Sequence, residues 1–211
     1  MDRDALAARI DAYAHRYNDI DADILNIITD AREALGQDLR SQHNMIREEV
    51  VLTTGFGLLP TDFQEMYSLQ RTDGKRLQYI TADYASEWRE ESGEPRFYSI
   101  GLSGTTMGLN SLEVFPKATE SVWAEFYASP AELTSGTTTT SVLDALPLVY
   151  IYKCLHLVAV WAADWETATQ MDGLYQREVS NANRAWKLAR RTTDAVVQST
   201  HPFVSSPAKG V

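Results

Sequence analysis

Hydrophobic positions along this chain change their period twice, from helical to alternating and back to helical. Leu6, Ile10, Tyr13 and Tyr17 share one face of a helix predicted over residues 3–17, with Arg3, Arg9, Asp11 and Arg16 elsewhere. Ile24, Ile27, Ile28, Ala31 and Leu35 repeat the pattern over 18–36, and Gly36 is expected as the left-handed residue that closes this helix. So short a connection predicts two antiparallel helices. The most apolar run is Ser141 to Asp164. Leu146, Tyr150, Cys154, Leu157 and Trp161 recur every three or four residues, and Val149, Ile151, Leu155 and Val158 fill much of the remaining circumference. That pattern predicts one buried helix, with Ser141 as its N-cap, Asp144 in its first turn and Pro147 near its start. A long polar helix follows, with a narrow seam of Trp165, Thr169, Asp172, Tyr175, Val179, Ala182, Trp186 and Ala189. Gly173 and the Ser180–Asn183 stretch weaken it.

Between the helical parts the period falls to two. Residues 45–60 are β-branched and broken by Gly55, Gly57 and Pro60, as in a strand and a turn. Two alternating runs flank Asp73-Gly74, a strong hairpin signal. Simple alternation places Met66, Ser68 and Gln70 on one face and Tyr67 and Leu69 on the other. Thr81 is placed to cap a short helix that ends near Gly93, and Pro95 opens a further extended run. Leu112 and Val114 alternate in one strand. Val122, Ala124 and Phe126 alternate with Trp123, Glu125 and Tyr127 in the next, which Pro130 ends. The expected fold is α+β, mainly α. A helical bundle over residues 1–199 carries a small antiparallel sheet of four or five strands inserted at about 45–130. A long C-terminal helix leads to an extended tail at 200–211.

Charge narrows the possible partners. The net charge of −10 argues against a protein that reads nucleic-acid sequence or binds an anionic membrane, since both need a basic footprint. From Tyr175 onward, however, six Lys/Arg stand against two Asp/Glu. This basic end on an acidic body points to a partner for that segment. A membrane span is not expected: Asp144, Lys153, His156 and Asp164 leave the apolar run short of the ~20 residues a span needs. Cys154 is the single cysteine, so no intrachain disulfide forms and a reducing compartment fits. The charged start, MDRDALAARID, has no apolar core of a signal peptide.

Known catalytic patterns are missing. Asp19, Asp21 and Asp23 alternate like a calcium loop but lack its glycine and its distal glutamate, and read better as acids at a helix start. The neighbours Glu48-Glu49 and Glu90-Glu91 fit solvated faces. His15, His43, His156 and His201 are scattered without zinc spacing. His156 is expected as a satisfied core histidine, and Cys154, two residues away on a helix, points elsewhere. Gly55-Phe56-Gly57 has no phosphate-loop lysine, and Gly101-Leu102-Ser103-Gly104 is one residue short of a nucleophile elbow. Trp123, Trp161, Trp165 and Trp186 are expected as core or interface anchors. No enzyme activity, metal or cofactor is expected.

The order of elements carries more than any one motif. A helix pair precedes Leu59-Pro60-Thr61-Asp62-Phe63, a hairpin and a short helix. Then come Gly93-Glu94-Pro95-Arg96-Phe97-Tyr98, a strand ending Val114-Phe115-Pro116, and a strand leaving through Tyr127-Ala128-Ser129-Pro130-Ala131-Glu132-Leu133. Over about residues 20–190 this resembles the adaptor (head-completion, or connector) proteins of tailed bacteriophages. The resemblance implies a structural virion protein at the head–tail junction, made in the host cytoplasm. Family members assemble as rings, usually of twelve copies, between portal and tail, and genomic DNA passes through without sequence-specific binding. The portal would be reached by the C-terminal helix and tail, and a tail tube or nozzle protein by the sheet loops. Trp186, Arg190, Arg191 and Phe203 are the expected portal interface, because aromatic anchors with flanking arginines are common hot-spot residues. A tail-completion or terminator ring protein of the same particle, or a non-viral soluble α+β interaction domain, are the alternatives.

Overall fold

The computed structural model describes residues 1–14, 23–88, 93–102 and 110–198. Helix α1 (Arg3–Ala14) and helix α2 (Ile24–Asp38) pack on each other and on a central helix, α5 (Pro147–Trp161). Leu6, Ile10 and Ala14 form the buried face of α1, whereas Tyr13 is exposed. Tyr17 lies outside the described residues. All five expected positions of α2 are buried.

Gly36 does not end α2. It lies inside the helix, which runs on to Asp38, and Leu39 takes an extended conformation as C-cap. Glycine is needed there for space: a Cβ would run into the Ser129 side chain on the strand exit. Gly36→Ala should therefore destabilise the protein by about 1–3 kcal/mol through overpacking, although alanine is the better helix former. Chemical denaturation of G36A, alone and combined with Ser129→Gly, measures this, and the second change should recover most of the loss.

The apolar run from Ser141 to Asp164 is two helices, not one. Helix α4 (Ser141–Ala145) is capped by Thr140, whose hydroxyl accepts from the Leu143 N–H at 3.1 Å. The chain breaks at Leu146, and Pro147 starts α5 as its first residue, where proline costs no hydrogen bond. Val149, Tyr150, Ile151, Cys154 and Val158 are buried, but Leu148 and Trp161 are not, so α5 keeps one open side. Ala163, at φ 55°, makes the turn into α6 (Trp165–Gln198). The Asp164 carboxylate caps that helix by accepting from the Thr167 N–H at 3.1 Å and the Thr167 hydroxyl at 2.9 Å. Among the described residues, no helix is long and apolar enough to cross a membrane.

The strands form two sheets rather than one. β1 (Met45–Val50), β7 (Val122–Ala128) and β3 (Phe63–Arg71) make an antiparallel sheet in the order β1-β7-β3. β2 (Phe56–Leu58), β6 (Asn110–Phe115), β5 (Phe97–Leu102) and β4 (Gln78–Tyr79) make the second, in the order β2-β6-β5-β4, with the β4–β5 pair parallel. The short helix α3 (Ala82–Trp88) packs beside β5. Both sheets bury side chains in one cluster that includes Leu52, Leu69, Tyr98, Leu112, Val114 and Phe126. A separate cluster holds the helical bundle, from Leu6 to Val179.

β3 departs from simple alternation. Its register against β7 slips at Gln64 and again at Tyr67. Two bulges put Phe63, Met66 and Leu69 opposite Ala128, Phe126 and Ala124, so these three face the same core. The sequence pattern had split Met66 from Leu69; the extra residue in each bulge reunites them and turns Tyr67 outward.

Candidate functional site

The outer face of the β1-β7-β3 sheet is where the long last helix meets the insertion. β7 alternates, so Tyr127 points away from the core that holds Phe126. The second bulge brings Tyr67 beside it, ring centroids 6.3 Å apart and edge-on at 63°. Two residues of α6 close on this pair. The Trp186 Nε1–H donates to the Tyr127 hydroxyl at 2.9 Å, and the Arg190 guanidinium lies 4.2 Å from the centre of the Tyr67 ring. Arg190 Nη1 also reaches the Tyr127 hydroxyl at 3.4 Å. On the other side Arg40 lies 5.7 Å from the Tyr127 ring centre and donates through Nε to Glu65 at 2.6 Å. Cations over aromatic faces contribute about 0.5–2 kcal/mol each, more as they lose water.

Further contacts extend this clasp down α6 at helical spacing. The Asn183 side chain accepts from the Arg40 N–H at 2.7 Å and donates to the Asp38 carbonyl at 3.0 Å. The Tyr175 hydroxyl donates to the Asp38 carboxylate at 2.7 Å. Burial, then the hydrogen bond to Asp38 and its charge, push the Tyr175 phenol up, so it stays a donor at any physiological pH. Arg40 Nη1 caps the end of α2 by donating to the carbonyls of Gly36 and Leu39 at 3.0 and 2.9 Å. Thus Asp38 and Arg40 at the end of α2, the outer sheet face and one side of α6 are locked together. Near this seam the buried Asn44 side chain donates to the carbonyls of Leu39 and Ala128, at 2.8 and 3.3 Å.

Two of the four expected interface residues, Trp186 and Arg190, meet in this clasp. Both are half-buried against their own chain. Arg191 belongs to α6, but its side chain lies outside the described residues, as does Phe203. Sequence reasoning missed Tyr67, Tyr127, Asn183 and Arg40. The Tyr127 position was legible as the outward neighbour of Phe126; the others were not. Of the expected tryptophan anchors, Trp161 and Trp165 are 50% and 66% exposed at the α5–α6 corner. Trp123 is half-buried under the Arg47 guanidinium, 5.1 Å from its ring centre.

A second charged feature stands at the hairpin. Arg71 bridges Glu94 at 2.9 Å and Asp73 at 3.4 Å, and Lys75 joins the same two acids at 3.9 and 3.5 Å. The Arg71 hydrogen bond holds the Glu94 carboxyl below its ordinary range, and the Lys75 backbone N–H does the same for Asp73. These four charges neutralise one another.

No group of three or more His, Cys, Asp or Glu among the described residues could hold a metal ion. Asp19 and Asp21, Glu90-Glu91, His15 and His201 fall outside the described residues. Cys154 is fully buried, and burial pushes its thiol up, away from the reactive thiolate. His156 is half-buried, its Nδ1 paired with the Ala168 carbonyl at 3.0 Å.

The described residues form a small α+β body in which a long helix is riveted to a β insertion. The family model described as SU10 adaptor protein matches residues 1–200, nearly the full 211, and the chain belongs to that family. It is a family of structural adaptor proteins of bacteriophage virions, not an enzyme class; its members associate with portal and tail components at the head–tail junction. No curated protein matches the chain.

Proposed function

We propose that this chain is the portal-to-tail adaptor of its particle: a closed homo-oligomeric ring, of twelve copies on the family pattern, through which genomic DNA passes. The observation that carries this reading is the family match over residues 1–200. The geometry supports it. The 34-residue α6 is held along one side by Tyr175, Asn183, Trp186 and Arg190, which fixes the direction in which its basic end leaves the body. An acidic body repels the DNA phosphates that move past it. One bundle domain over 1–199 with its β insertion, and an extended tail at 200–211, is the domain organisation this reading uses.

The portal interface proposed is Trp186, Arg190, Arg191 and Phe203. Arg191 and Phe203 supply contacts, and Trp186 and Arg190 act through the clasp, as positioning residues. The tail tube or nozzle protein meets the sheet loops. The protein mixed with its portal at micromolar concentration should give a ring-bearing complex in negative-stain images and by light scattering, and deletion of residues 196–211 should weaken it. Two separate species, unchanged by the deletion, would overturn the reading. A complex with the tail tube and none with the portal would assign the chain to tail completion instead.

A further inference from the structure

The β insertion has two open sides, and they carry opposite charge. On one side lie β1 and β2, the edge strands of the two sheets, joined by a tight turn at Thr54 and Gly55. Glu48 and Glu49 stand there, one on each face of β1 by strand alternation, both exposed. Neither has a basic partner within ion-pair distance among the described residues; Arg47, between Ile46 and Glu48, faces Glu125 at 3.9 Å instead. Val51, Phe56 and Leu58 add apolar surface to this side, at 70%, 47% and 61% exposure.

The opposite side is basic. The return arm of the hairpin lies beyond β3, with Arg76 opposite Gln70 and the Leu77 N–H donating to the Leu69 carbonyl at 2.8 Å. The strand order is therefore β1, β7, β3 and then this arm, which puts Arg76 three strand spacings, about 14 Å, from β1. The arm runs on into β4, the other edge of the second sheet, beside Arg96. Arg76 and Arg96 are exposed and line one groove. Arg71 and Lys75, in the same groove, are neutralised by Asp73 and Glu94, but Arg76 and Arg96 have no acid within ion-pair distance among the described residues. Tyr79, 57% exposed, is the apolar element of this side.

We propose that these two sides are the two halves of one subunit–subunit contact. The Glu48–Glu49 edge of one copy packs on the Arg76–Arg96 groove of the next, with Val51, Phe56 and Leu58 at its apolar centre. The occupant is a second copy because both complementary surfaces are present on every chain, on opposite sides of the same module. A contact between two different patches is heterologous, and it closes into a ring when the rotation per step divides a full turn. Charge complementarity fixes its register and rejects wrong partners. The proposal rests on the ring reading given above and names the contact that would build it.

Charge reversal and charge exchange test it. The full-length chain is mixed with portal, and the copies bound are counted by native mass spectrometry and negative-stain imaging. R76E/R96E and, separately, E48R/E49R should each lower ring yield by about tenfold or more. A chain carrying both pairs of changes should recover it. A 1:1 mixture of the two reversed chains should close rings of alternating copies where neither chain does so alone, since an all-acidic copy then meets an all-basic one on both of its sides. Circular dichroism of each variant establishes that it is folded; should R76E/R96E be unfolded, E48R/E49R and the single change R96E carry the same comparison. Full ring yield with either reversed pair overturns this contact and leaves the ring reading standing. Loss on arginine reversal without recovery by the exchange or by the mixture also overturns it. No ring with the unaltered chain overturns the ring reading and this contact together.

Discussion

Phe126→Ala is expected to lower the unfolding free energy by about 3–5 kcal/mol. The ring is fully buried at the middle of β7, the strand that β1 and β3 flank. It lies 5.5 Å from the Phe63 ring, tilted at 47°, and faces Met66 across the sheet. Truncation removes its burial and leaves a hole that two flanking strands cannot collapse to fill. The loss should also be local. Phe126 belongs to the cluster shared by the two sheets, whereas α1, α2, α5 and α6 bury their side chains in another. Chemical denaturation measures the magnitude, and hydrogen exchange its reach. Amides of β1, β3 and β7 should lose most protection and those of α5 least. Equal loss in both parts would show that the two clusters unfold as one unit.

Trp186→Ala should cost about 2–3 kcal/mol and release the upper half of α6 from the sheet. The side chain is half-buried, so truncation removes part of the burial term for a large aromatic. It also removes the hydrogen bond to the Tyr127 hydroxyl, a further ~1 kcal/mol. Trp186→Phe keeps most of the contact area and should lose only the second contribution, about 1 kcal/mol. In the alanine variant, amides from Asn183 to Arg190 should exchange faster while those near Tyr175 stay protected, because the Tyr175–Asp38 bond is untouched. Portal binding should weaken by about tenfold, the equivalent of ~1.4 kcal/mol, as α6 loses its fixed exit. Unchanged exchange across that segment would remove the clasp from the mechanism.

The two variants probe different levels of legibility. Alternation alone placed Phe126 in the core, since Val122, Ala124 and Phe126 share a face in any straight strand. Trp186 and Arg190 were legible only as an aromatic with a neighbouring cation, a composition that suits a partner surface. The structure spends both on the chain's own sheet, with Tyr127 and Tyr67 as their partners. No local signal could have paired them, because Trp186 and Tyr127 are 59 residues apart. The bulges on β3 are equally hidden: Gln64 and Tyr67 are ordinary strand residues, and only the register against β7 shows them to be extra.

By itself the sequence determined whatever depends on local period and on charge. The α1 residues Leu6 and Ile10, the buried face of α2, the hairpin at Asp73-Gly74, the inward residues of β6 and β7 and the mainly α class all follow from side chains three, four or two positions apart. The element order carried the likeness to the adaptor family. Tertiary structure alone decided the break at Leu146, the place of Gly36 inside α2, the division of the strands into two sheets and the clasp on α6. Each of these depends on which distant surface arrives beside a residue: Ser129 beside Gly36, Tyr127 beside Trp186. Local patterns fix which face of an element is apolar; only packing fixes what that face, and the polar residues at its margin, will meet.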